Sequence, residues 1–258
     1  MRSEYSEVGR ALALDIYRLF DAITRGEVKI RSECPEVGRV LAEYLCWRFD
    51  AVIKGAESIP ASGGTFLIGD HQQAFDGPLV IHGARSREVK LVVKNDGESR
   101  KGLYLLRLLT GAITINRNTS DFETMRMIVS TLERKGTVCM FPEGHRSEDG
   151  KVKGFHPGVA VIARHAPGAK IVPFAITNAS HLTVGTVVKN LDQGIHRRKK
   201  PTIEFGKPFQ LPPAHLPPKQ QREEDTRVIR RSVLDLLPED MEGEDELFVI
   251  KRAPARRS

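Results

Sequence analysis

From residue 51 onward, short β-rich runs alternate with helical stretches, and this alternation predicts an α/β fold: a central mixed, largely parallel sheet flanked by helices. Two further observations agree. The chain has 258 residues, enough to bury a substantial core around one such sheet. Its 40% hydrophobic and 28% charged residues are ordinary globular proportions.

Ahead of the sheet, residues 1–50 predict an N-terminal amphipathic helix pair. Val8, Leu12, Ile16, Leu19, Phe20 and Ile23 recur at helical spacing over residues 5–24, and Gly26 is a stop. A second helix runs from Pro35 to about Phe49, with Val37, Val40, Leu41, Tyr44 and Leu45 as its stripe. Such a pair suits a lipid interface, with Trp and Tyr near the headgroups, and suits equally an ordinary packed core. Strands are predicted at 51–54, 65–68, 89–93, 112–115, 138–141 and 171–176, with 182–188 and 202–205 as later candidates. Predicted helices span 77–85, 101–109, 121–135, 155–165 and 222–236. Ser120 and Glu123 are spaced as a capping box for the third of these. A proline-rich connector at 211–218 predicts extended chain. The α/β domain is thus expected over 51–238, followed by a charged tail at 239–258 that is low in apolar residues.

The net charge of +7 favours an anionic partner, and the excess is clustered in His196–Lys200, Lys251-Arg252 and Arg256-Arg257. A nucleic-acid partner is disfavoured, because only 6% of residues are aromatic and no recognition motif is present. Three cysteines without a Cys-x-x-Cys argue for a reducing compartment. No apolar stretch resembles a signal peptide, and none approaches the ~20 residues of a membrane span. The expected location is cytoplasmic, peripheral on the inner face of the cell membrane.

Three segments carry chemistry. His71 and Asp76 stand five residues apart in a turn that leads into the helix opened by Gly77-Pro78. A histidine that accepts a proton from a hydroxyl needs its other ring nitrogen held, and a carboxylate does this. Gly111 to Arg117 reads as a buried strand that delivers a guanidinium able to clamp a phosphate. In Phe141-Pro-Glu-Gly-His-Arg-Ser147 a strand runs out into a turn whose N–H groups can face an anion. The His–Asp spacing alone is common. Its placement is what informs: His71, Arg117 and Glu143 all follow predicted strands, and ligands of open α/β sheets bind beyond the carboxyl ends of strands.

In this order the segments resemble the glycerolipid acyltransferase family, specifically the 1-acylglycerol-3-phosphate acyltransferases. Asp70–Asp76 is similar to Asn-His-x-Ser-x-x-Asp, Gly111–Arg117 to a strand ending in arginine, Phe141–Ser147 to Phe-Pro-Glu-Gly-Thr-Arg-Ser, and Ile171–Ile176 to a Val-Pro strand. The resemblance covers about residues 50–210 and implies an O-acyltransferase that needs no cofactor or metal. Its donor would be acyl-CoA or the thioester of acyl carrier protein, its acceptor a lysophospholipid such as 1-acylglycerol-3-phosphate, and its working place an anionic membrane surface. His71 would be the general base and Asp76 its orienting partner. Lys94, Arg117 and Arg146 would contact acceptor phosphate, and Glu143 and Gly144 would belong to the acceptor-binding turn. Asp70 stands where Asn is usual, Gln73 where Ser is, His145 where Thr is typical and His156 where Lys is common. These departures leave the acyl-transfer groups in place and bear on the acceptor. No serine nucleophile elbow is present and Cys139 lies within a predicted strand, so direct transfer is expected over a covalent acyl-enzyme.

Overall fold

The computed structural model describes residues 35–84, 87–95, 110–116, 122–147, 149–190 and 199–243. The helices expected at 5–24 and 101–109, and Ser120 of the capping box, lie outside these residues.

Among the described residues seven strands form one sheet: β1 Val52–Lys54, β2 Thr65–Gly69, β3 Val89–Asn95, β4 Ile113–Asn116, β5 Thr137–Met140, β6 Lys170–Thr177 and β7 Thr202–Phe205. Their order across the sheet is β1-β7-β6-β2-β5-β3-β4. The run β6-β2-β5-β3-β4 is parallel throughout. β7 is antiparallel to β6, and β1 is parallel to β7. The expected mixed, largely parallel sheet is therefore present. β2 is buried along its whole length, as a central strand covered on both faces must be.

Strand side chains alternate between two cores with period two. Leu67, Leu91, Cys139, Val172, Phe174 and Ile176 enter one core, which α1 (Pro35–Arg48) and α2 (Asp76–Gly83) cover. Phe66, Ile68, Val92, Val138 and Ile171 enter the other, beneath α3 (Phe122–Glu133), α4 (Gly158–His165) and α6 (Pro218–Leu234).

Three elements differ from the sequence expectation. In α1 the buried face is Gly38, Ala42, Tyr44, Leu45 and Cys46, whereas Val37 and Val40 of the expected stripe are exposed. Small residues at 38, 42 and 46 let α1 lie close on α2, where the Cys46 thiol reaches the Pro78 carbonyl at 3.6 Å. Residues 182–188, expected as a strand from their β-branched content, instead carry helix α5 (Val184–Lys189). The Thr183 hydroxyl accepts the Thr186 N–H at 3.1 Å and starts that helix, outweighing a weak strand propensity. Helix α6 begins at Pro218, four residues ahead of the expected start, because proline at the first helical position lacks only a hydrogen that would go unused. Past residue 238, Met241 and Gly243 bond the backbone of Val152, and buried Arg230 donates to the carbonyls of Val152, Lys153 and Gly243.

Candidate active site

β2 ends at Gly69, beneath the ring of Phe174 in β6. A Cβ at position 69 would overlap that ring, so the approach requires glycine. The chain then leaves the sheet through Asp70–Phe75 and enters α2 at Asp76. This turn folds around one carboxylate oxygen. Asp76 Oδ2 accepts the N–H of Gln72 at 2.6 Å and of Gln73 at 2.8 Å, and it meets His71 Nδ1 at 2.8 Å. An oxygen that already accepts two N–H groups faces the ring as an acceptor, so Nδ1 carries a hydrogen, and in the neutral ring the lone pair is then on Nε2. Asp76 is fully buried and its Oδ1 has no partner among the described residues. Burial pushes its carboxyl above the usual range; the bond to His71 and the N–H groups of Gln73 and Gln72 draw it only partly back.

The His71 side chain is 22% exposed. Its ring stacks on Phe141, which follows β5, at 4.3 Å between centroids and 22° between planes. The His71 backbone is fixed from the same side. Its N–H donates to Glu143 Oε1 at 2.9 Å, and its carbonyl accepts the Ser147 N–H at 2.7 Å. Glu143 Oε2 accepts the N–H of Lys153 at 3.0 Å. Burial raises the Glu143 carboxyl, and the two N–H donors oppose the rise. Adjacent parallel strands β2 and β5 thus end in one joined turn pair.

The described residues place most of the site residues inferred from sequence. His71 and Asp76 meet. Glu143, expected to face the acceptor, is instead fully buried, with both carboxylate oxygens engaged by backbone N–H groups. It positions His71, because a buried carboxylate needs such donors. The turn also exposes fewer N–H groups than expected: that of Gly144 closes onto the Phe141 carbonyl at 3.1 Å, and that of Ser147 is taken by His71. Gly144 is exposed at φ 72°, a left-handed conformation that favours glycine, and Arg146 is exposed on the same turn. The ring of His156 borders that glycine, 3.4 Å from where a Cβ would stand. Lys94 lies in β3 opposite Ile115 of β4, with its side chain outside the described residues. Arg117 lies outside them altogether.

Sequence reasoning missed Phe141 as the platform of the imidazole and Gln72 as a buried tether to β6. The Gln72 amide donates to the Ile176 carbonyl and, at 3.2 Å, to Asp70 Oδ2. Asp70 Oδ1 accepts the Ile176 N–H at 2.7 Å. Only the unusual Asp70, standing where the resemblance has Asn, hinted at this arrangement.

The acyltransferase family matches residues 50–177, the span that contains both turns. A 1-acyl-sn-glycerol-3-phosphate acyltransferase of Chlamydomonas reinhardtii is 26% identical over 178 residues, 68% of this chain and 49% of that protein. The chain therefore spans about half the length of that curated relative. The 1-acyl-sn-glycerophosphate (LPA) acyltransferase PlsC from Thermotoga maritima shares the fold, with a TM-score of 0.56 and 18% identity over 92% of this chain and 99% of that one. With the sheet, the ordered turns and the family match in agreement, residues 50–177 of this chain are an acyltransferase-family domain.

Proposed function

We propose that this protein is an O-acyltransferase that moves a fatty acyl group from acyl-CoA or acyl carrier protein to the hydroxyl of 1-acylglycerol-3-phosphate. The observation that carries this reading is the contact of 2.8 Å between His71 Nδ1 and a fully buried Asp76, with the ring still partly open to solvent. Asp76 holds the tautomer, and Nε2 is the nitrogen that takes the acceptor proton. As that proton leaves, the hydroxyl oxygen attacks the thioester carbonyl and forms a tetrahedral oxyanion. Collapse expels the thiolate, and the imidazolium returns the proton to it. Cys139 has no part in this, because it is wholly buried and burial pushes its thiol well up.

Exposed Arg146 supports an anionic acceptor, and the C. reinhardtii relative carries that acceptor in its name. His145 and His156 stand where the family resemblance has other residues, so a different lysophospholipid, an amino-lipid or a non-lipid alcohol is the second reading. His71→Ala is expected to lower transfer about 10²–10⁴-fold, the usual contribution of a positioned base. Turnover near that of the parent, assayed with acyl-CoA and lysophosphatidic acid, would remove the mechanism. A panel of acceptors with and without phosphate separates the two readings.

No helix among the described residues is long and apolar enough to cross a membrane. A peripheral position on an anionic, cytoplasm-facing membrane surface fits the net charge of +7 and the outward Val37, Val40 and Trp47 of α1.

A further inference from the structure

The ladder between β2 and β6 stops at Gly69, opposite Phe174. Had β2 continued in register, His71 would stand opposite Ile176. The chain turns away instead, and the N–H and C=O of Ile176 lose their strand partner. Two side chains replace it. Asp70 Oδ1 accepts the N–H at 2.7 Å, and the Gln72 amide donates to the C=O. The same amide donates to Asp70 Oδ2 at 3.2 Å, closing a ring of bonds. Asp70 and Gln72 are each 2% exposed and Ile176 is fully buried, so water does not compete for these groups.

We propose that Asp70 and Gln72 form a matched lock that fixes the backbone on both sides of His71 and thereby sets the His71–Asp76 contact. Asp70 is then a positioning residue of the reaction proposed above, and the inference rests on that reading. Glu143 and Ser147, after β5, hold the backbone of the histidine; its chain neighbours Asp70 and Gln72 are tied to Ile176 of β6. A base held from the two strands that flank β2 keeps the sub-ångström placement that proton transfer requires.

Chemistry explains why aspartate stands where the family resemblance has asparagine. The Gln72 nitrogen faces a carbonyl oxygen and so must donate, which obliges Asp70 Oδ2 to accept. An asparagine would retain Oδ1 for Ile176 but set one NH2 against another. Burial, then the nearby Asp76, push the Asp70 carboxyl well up. Protonation leaves the match intact, since a carboxylic hydroxyl oxygen still accepts whereas an amide nitrogen does not.

The test compares Asp70→Ala, Asp70→Asn, Gln72→Ala and the Asp70→Asn/Gln72→Ala double variant. Asp70→Ala is expected to lower kcat about tenfold to a hundredfold with the KM for acyl-CoA unchanged. Asp70→Asn should fall between Asp70→Ala and the parent. The double variant should be no worse than Gln72→Ala alone, because the clash of donors needs both partners. Parental kcat in Asp70→Ala, or losses that simply multiply in the double variant, would overturn the lock. A second readout needs no substrate: the downfield His71 Nδ1 proton in NMR spectra should shift or vanish in Asp70→Ala while circular dichroism is unchanged. An unaltered proton signal overturns the proposal. If Asp70→Ala does not fold, Asp70→Asn and Gln72→Ala carry both readouts. If the parent transfers no acyl group to any acceptor, the acyltransferase reading fails, and the proton signal alone decides the lock.

Discussion

Glu143 holds the N–H of His71 with one oxygen and that of Lys153 with the other. A glutamine can accept at only one of those places and would set its own NH2 against the second N–H. Glu143→Gln is therefore expected to cost about 1–3 kcal/mol of stability, the penalty of an unsatisfied buried donor, and to reduce kcat with it. Denaturant unfolding beside steady-state kinetics checks both, and an unchanged unfolding midpoint would contradict the clamp. Spacing and strand-end position made His71 and Asp76 legible, because a turn of few residues can hardly keep them apart. The direction of Glu143 was not legible. Its partner is a backbone N–H 72 residues earlier, and no local pattern reports which way a strand-end carboxylate turns.

Among the elements, α4 and α6 are joined by a bidentate pair in which Arg164 Nε and Nη2 each reach Asp225 at 2.7 Å. Asp225 is buried, and the Gln221 amide donates to it at 2.9 Å. Burial alone would raise this carboxyl; Arg164 and Gln221 outweigh it and hold it below the usual range. A carboxylate depressed on folding stabilises the fold above its unfolded pKa, and that stability is lost as pH falls through the folded value. Arg164→Ala should therefore cost about 3–5 kcal/mol at neutral pH, where it strands a buried charge, and the deficit should shrink below about pH 4. Urea midpoints of parent and variant across pH 3–7 test this, and a deficit independent of pH would contradict it. Sequence periodicity located most strands and helices, since alternation and helical repeat are local properties. It failed where a tertiary or capping contact decided: α1 turned its small-residue seam inward, and the Thr183 cap made a helix of a β-branched run.

For the whole molecule, the two-sided core accounts for most of the predicted architecture, because buried parallel strands need apolar residues on both faces. One question raised by the sequence divides. α1 packs into the core through Ala42, Leu45 and Cys46, yet Val37, Val40 and Trp47 remain 41%, 49% and 52% exposed on its outer side. Deleting residues 1–50 would open the core and so cannot test membrane binding. Val40→Glu with Trp47→Glu leaves the inner face intact and should reduce flotation with anionic vesicles about tenfold or more. Equal recovery of parent and variant would count against an outer lipid-facing side. The strand order has a kinetic meaning of its own. β1 opens the sheet in the chain but sits at its edge against β7, and the paired residues Lys54 and Glu204 are 150 positions apart. During synthesis this first strand must wait, unzipped, until β7, the last of the seven, has emerged from the ribosome. Closing so large a loop makes the β1 edge the late and slow event of folding, and the site-bearing centre can assemble before it.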